Sequence, residues 1–265
     1  MFDEPDWDDE VDVVCTATGT AGLATAISTV EHDGQVFLAG IADAALAGEP
    51  YGLRGCFARV GDEATVEYFA ALTEDLDLAA LTQQDPDLPV RLMTDTAPAR
   101  GRTVPPFEGW RLRDWAAVCI ASPSGYLYTQ VTDWPSTTMP GEAGEWFEIT
   151  ELGVMTPEPE DPVGSVHRWL SDEADDRGLS PYPVERFDRL VFEDGRVVGA
   201  VFTTDTGALT VRARHGVLIC GDDVTGRSAS GSRLPGETSF RVALVGKDAS
   251  RFGRVELLTS DPAVA

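Results

Sequence analysis

Apolar positions along the chain change period several times, and each change predicts an element. Val11–Thr16 is a short apolar run rich in β-branched residues and predicts a buried strand. Thr18–Ala21 is a turn. Gly22–Val30 carries Leu23, Ala26, Ile27 and Val30 at helical spacing and is stopped by His32-Asp33-Gly34. Gln35–Leu38 is the next strand. Together these form a β–α–β opening of about 30 residues, whose crossover should be right-handed. Residues 43–55 read as loop. Asp62 is the candidate N-cap of a helix bearing Val66, Phe69, Ala70 and Leu76. Residues 82–108, rich in Pro and polar groups, read as irregular. Gly109–Ala121 predicts an amphipathic helix with Leu112, Trp115, Ala116 and Cys119 on one face, ended by Pro123 and Gly125.

Residues 126–163 hold short extended pieces, with 156–162 ("TPEPEDP") as an exposed linker. Val163–Arg177 predicts a second amphipathic helix with Gly178 at its C′ position. Alternating apolar residues follow, with turn signals at Asp194-Gly195 and Asp205-Thr206-Gly207. They predict a three-stranded meander and then a separate buried strand, Val217–Cys220. Residues 221–239 are Gly/Ser-rich, and Phe240–Val245 and Arg254–Leu258 predict a final extended pair. No internal repeat is present.

Charge narrows the functional classes. The 265 residues include 45 acidic and 20 basic ones, for a net charge of -25, and Lys247 is the sole lysine. Such a surface repels phosphate backbones and anionic headgroups, so nucleic-acid and membrane binding are not expected. Cys15, Cys56, Cys119 and Cys220 are far apart in sequence, which excludes zinc-type C-x-x-C pairing and favours buried free thiols. Three scattered histidines (His32, His167, His215) give no metal site or triad. The acidic N-terminus is unlike a secretory signal, and no apolar run approaches the ~20 residues of a membrane span. A cytoplasmic location is the expectation.

The candidate chemistry lies in "VDVVCTATGTAGLATA", from Val11. A dinucleotide fingerprint would place glycines at 17, 19 and 22, and the chain has Ala17, Gly19 and Gly22. Glycines there let the backbone approach a pyrophosphate at the helix N-terminus, and an acid at the end of the second strand holds the ribose. Alanine at 17 fits only a turn that needs no left-handed backbone. Thr18 and Thr20 bring hydroxyls that could contact a phosphate or could bond the free helix N–H groups. The second strand ends in Ala39 and Gly40, with Asp43 a few residues late, so the acid is missing.

The segment "WDDEVDVVCTATGTAGLATAISTVEHDGQVFLAG", then "DEATVEYFAAL", "TVPPFEGWRLRDWAAVCIASPSGYLYTQVTD" and "VERFDRLVFEDGRVVGAVFTTDTGALTVRARHGVLIC" resembles, in order, the fumarate reductase and 3-ketosteroid dehydrogenase flavoproteins, including actinobacterial members. The resemblance covers residues 8–222. It implies an α/β fold with a Rossmann-like FAD-binding-type core, a β-meander insertion and a smaller α+β region. The expected organisation is core at 1–80, a cap-like region at 81–162 and a return to the core at 163–265. Members of that family are about twice as long, so the resemblance implies a truncated form. The departures fall where a flavin would touch: Ala17, Gly40, "IADAALAGEPYG" for the flavin loop, and "CGDD" (Cys220–Asp223) for the family's "ATGG", which puts Asp222 and Asp223 in place of its Gly-Gly pair. No catalytic residue carries over.

Thr18, Gly19, Thr20, Ala21, Gly22 and Gly221 are therefore the candidate cofactor-binding residues, in working or vestigial form, with FAD as the implied cofactor. Arg227 and Arg233, flanking a Gly/Ser-rich stretch, could compensate the local acids. Trp110, Trp115, Trp134, Trp146, Trp169, Tyr126 and Tyr128 read as core packing or as an apolar ligand pocket or partner surface. The expected function is a degenerate, non-catalytic flavoprotein homologue that acts as a binding or assembly partner, with a protein partner or homo-oligomer. The alternative is an FAD-dependent oxidoreductase, minimal or completed by a partner chain.

Overall fold

A computed structural model of the chain describes residues 6–41, 52–78, 88–93, 109–130, 136–140, 145–222, 234 and 238–264. The elements in order are β1 (Asp9–Cys15), α1 (Thr20–Glu31), β2 (Val36–Ile41), α2 (Gly52–Arg59), α3 (Glu63–Leu72), β3 (Val90–Leu92), α4 (Gly109–Ala121) and β4 (Gly125–Tyr128). Then come β5 (Thr137–Pro140), β6 (Trp146–Met155), α5 (Pro162–Asp176), β7 (Tyr182–Val184), β8 (Arg186–Glu193), β9 (Arg196–Thr204), β10 (Gly207–Cys220), β11 (Phe240–Lys247) and β12 (Phe252–Thr259).

The strands form one mixed sheet in the order β5-β6-β11-β12-β4-β10-β1-β2-β7, with β3 on β12 and the β8–β9 hairpin on β10. This is an α/β fold. β1, α1 and β2 are the β–α–β opening, since β2 lies parallel to β1 in the next sheet position. β10 pairs parallel with β1 on its other side. The sheet alternates its side chains between two cores. Val13 and Cys15 point to a layer shared with α1 and α5, and Val14 points to a layer shared with α2, α3, α4 and the hairpin.

Local chemistry sets the helix ends. Asp62 caps α3, its Oδ2 accepting the Thr65 N–H at 2.9 Å. Asp161 caps α5 through the Gly164 N–H at 3.1 Å, with Pro162 in the first turn. Gly178, at φ 72°, closes α5. Asp194 and Gly195 both hold positive φ (48° and 75°), as a tight hairpin turn demands.

Three expectations need correction. Leu76 lies beyond α3, which ends at Leu72 with Thr73 as its C-cap. The third meander strand and the buried strand Val217–Cys220 are one element, β10, of 14 residues. Gly216, at φ 125°, sits where the register against β1 shifts, and the strand continues through it. Within the segment read as loop, Gly52 onward is helical: "GLRGCFAR" is α2, held by burial of Leu53 and Cys56 rather than by helix-forming composition.

Among the described residues Glu256 is the one buried acid. Arg91 clasps it with Nε and Nη2 (the latter at 2.8 Å), and Arg254 Nε donates to it at 2.8 Å. The Arg91 guanidinium lies 3.8 Å from the Phe147 ring centroid, and that of Arg254 lies 5.3 Å from Trp115. No helix among the described residues is long and apolar enough to cross a membrane.

Candidate functional site

The parallel strands β2, β1 and β10 end together, and the β1–α1 turn lies at that edge. In such sheets the carboxyl end of the strands is where ligands bind. Thr16 continues the ladder, its N–H bonding Leu218 O at 3.0 Å, while Cys220 N–H donates to Thr16 Oγ1 at 3.2 Å. The Cys220 thiol points at Ala17 O at 3.7 Å. The turn is thus fastened to β10 along its length.

Among the described non-glycine residues a positive φ occurs at Asp33, Asp194 and Ala249. Ala17 is not one of them, so the turn needs no glycine at the first fingerprint position. Gly19 sits at φ -62°, ψ 173° and caps α1 without a side-chain bond. Gly22 is obligatory for a different reason. A Cβ there would stand 2.0 Å from Ala17 O and 3.2 Å from Cys220 Sγ. Thr20, Ala21 and Gly22 are buried inside the α1–sheet contact.

Three contacts occupy the places a dinucleotide would use. First, the Thr18 N–H donates to Asp222 Oδ1 at 3.2 Å, so a carboxylate of the chain itself sits at the helix N-terminus where a pyrophosphate would bind. Second, Gly221 is packed against backbone: a Cβ on it would lie 2.5 Å from Gly52 atoms at the start of α2. Third, β7 pairs with β2 through Ala39–Tyr182, Gly40–Pro183 and Ile41–Val184. A side chain at Gly40 would meet Pro181 Cβ at 2.9 Å, so the position of the ribose-binding acid is covered. These residues do not fit FAD bound in the manner of a dinucleotide fold.

The candidate residues therefore divide clearly. Thr18 to Gly22 and Gly221 lie at one edge of the sheet, with Asp222 among them. Asp43, Asp223, Arg227, Arg233, Trp134, most of the flavin-loop segment and the Trp110 side chain lie outside the described residues. Trp115 packs on Phe147 on the α4 side, whereas Tyr126, Tyr128 and Trp169 belong to the α1 side, where Trp169 lies against Gly153.

His167 makes a definite contact with the turn. From α5 its Nε2 lies 3.1 Å from Thr18 O, so the turn is held on both sides, by Asp222 at its N–H and by His167 at its carbonyl. The only sequence signal for this was its place beside the apolar stripe of α5.

Beside the turn lies a crevice of about 450 Å³, lined by Thr16, Ala17 and Cys220 from the strand ends, by Cys56 and Arg59 from α2, and by Phe187 from β8, with Ile41, Ala58, Val60, Glu185 and Arg186 around it. The Cys56 thiol is pushed up to about 12, chiefly by burial and with Asp222 adding to it, while Arg59 opposes the shift. It is therefore a neutral wall group and not a nucleophile. Cys15 and Cys119 are raised further by burial, and all four cysteines are free and buried. Among the described residues no group of three or more His, Cys, Asp or Glu is placed to hold a metal ion.

No protein-family model and no curated protein matches the chain. Among solved structures it is similar to the 3-ketosteroid-Δ4-(5α)-dehydrogenase of Rhodococcus jostii RHA1, solved in complex with 4-androstene-3,17-dione, at 18% identity and a TM-score of 0.35 over 81% of this chain and 46% of that one. It is also similar to the open conformation of a flavocytochrome c3 fumarate reductase, at 15% identity and a TM-score of 0.33 over 78% of this chain and 33% of that one. The chain spans less than half the length of either, and at these values no residue role passes from them to it.

Proposed function

We propose that this protein is a non-catalytic, flavoprotein-like homologue that keeps the strand–turn–helix opening as a scaffold and acts as a binding or assembly partner. The observation that supports this reading is the Asp222 carboxylate on the Thr18 N–H. A pyrophosphate brought to that amide would meet a fixed negative charge and would have to displace it. Like charges held within a few ångströms in a partly buried site repel strongly. In this reading Thr18 to Gly22 and Gly221 are vestiges of a cofactor site, kept because Gly22 and Gly221 allow close backbone packing.

The test is the visible absorbance of the purified protein, recorded before and after addition of FAD. A colourless protein with no saturable FAD binding in the micromolar range is expected. A yellow protein, or micromolar binding, overturns the reading in favour of an FAD-dependent oxidoreductase, minimal or completed by a partner chain.

A further inference from the structure

The crevice beside the turn has a lining that the scaffold role does not require. Its volume of about 450 Å³ falls within the roughly 300–1,000 Å³ of small-molecule sites. Its inner wall is apolar, with Ala17, Cys56 and Phe187 buried against it. The Thr16 hydroxyl on that wall is already engaged with the Cys220 backbone, so it offers no free polar group to a ligand.

Charge enters through the basic residues. Arg186 is ion-paired with Asp188. Arg59, half-buried in the last turn of α2, makes no ion pair with any described residue, in a chain where acids outnumber bases 45 to 20. An apolar wall beside a guanidinium that pairs with no described acid is complementary to an amphipathic anion. Arginine binds carboxylate in a planar, two-pronged geometry. Glu185 on the wall, and Asp222, whose charge reaches Cys56, disfavour any ligand with several negative charges.

We propose that this crevice binds an aliphatic monocarboxylate, its chain along the apolar wall and its carboxylate on Arg59. The proposal rests on the reading that no dinucleotide occupies this edge of the sheet. It predicts that affinity grows with chain length and that it depends on the charge at position 59.

Calorimetric titration of the full chain with acetate, decanoate, decanol and FAD tests it, repeated with Arg59→Gln and Arg59→Lys. Decanoate should bind, acetate should not, and decanol should bind more weakly than decanoate. Arg59→Gln should weaken decanoate about tenfold, as loss of one charge-assisted contact would, and leave decanol unchanged, while Arg59→Lys should retain part of the affinity. Circular dichroism of each variant confirms that it is folded; should Arg59→Gln unfold, the acetate–decanoate–decanol comparison on the parent chain decides alone. Absence of decanoate binding, equal binding of acetate, or decanoate binding indifferent to Arg59→Gln overturns the proposal. FAD binding in the same series counts against the non-catalytic reading instead, so the two failures are distinguishable.

Discussion

Thr18 and Asp222 stand 204 positions apart in sequence, and the backbone N–H of the first donates to the carboxylate of the second at 3.2 Å. That bond joins the turn after β1 to the residues after β10. It also supplies negative charge to the N-terminus of α1, whose first turn contains no acid of its own.

Asp222→Ala removes both effects. A loss of about 1–2 kcal/mol is expected from the unmade charge-assisted bond and the uncompensated helix end. Added pyrophosphate should then raise the melting temperature of the variant but not of the parent, since the vacated amide can take a free anion. Equal stability of the two proteins would show that the carboxylate does not hold the turn.

Gly22→Ala should be among the most damaging single changes in the chain. Its new Cβ would overlap Ala17 O, a backbone atom that already accepts the Cys220 thiol and follows the ladder bond of Thr16. A cost of about 3 kcal/mol or more is expected in denaturant unfolding. Gly61→Ala is the control: nothing lies within 4 Å of a Cβ there, and the change should stay within about 1 kcal/mol of neutral.

Glu256 is clasped by two arginines with its side chain 1% exposed. Glu256→Ala leaves the partly buried Arg91 and Arg254 without their counter-charge, and about 2–3 kcal/mol of stability should be lost. Replacing all three together by apolar residues should cost less than this single change. If the single variant proves as stable as the parent, the triad contributes no net stability.

Asp12 gives the stability a pH dependence of defined sign. Its Oδ2 accepts the Gln35 N–H at 2.8 Å, and Arg214 donates to its other oxygen at 3.1 Å. The Gln35 bond first, then Arg214, hold its carboxyl below the ordinary value of 3.8, against an opposing desolvation. A carboxyl lowered by folding stabilises the native state above its unfolded value, and the gain is lost as pH falls through the folded value. The parent should therefore lose more stability than Asp12→Asn as pH falls below 3.8. Parallel pH–stability curves would contradict this.

Much of the fold was readable because its signals are local. The run Val11–Thr16, the Asp62 cap, the bounds of α4 and the Asp194-Gly195 turn each depend on residues within a few positions, and the structure places elements at all of them. The edges of the site were harder to read. That Ala17 fits the turn depends on a dihedral, and that Gly221 must be glycine depends on Gly52, far away in sequence. The cover over Gly40 comes from β7, whose three residues carry no pattern that names their partner strand. His167 reaches Thr18 only because α5 packs beside α1. The order of strands beyond β10 follows from pairings between distant segments, which periodicity cannot encode.

β10 has a consequence for how the chain is made. Its residues pair with β9, with β1 and with β4, so one strand joins the hairpin, the N-terminal strand and the middle of the chain. Cys15 finds its partner at Leu218, so during synthesis β1 emerges and waits for roughly 200 residues before its inner neighbour exists. Loop closure over that distance is slow, and an exposed apolar strand with one open side is prone to pair wrongly in the interval. β1 therefore cannot complete its inner pairing until β10 has been made, and β5 and β6 join the sheet only when β11 and β12 follow it.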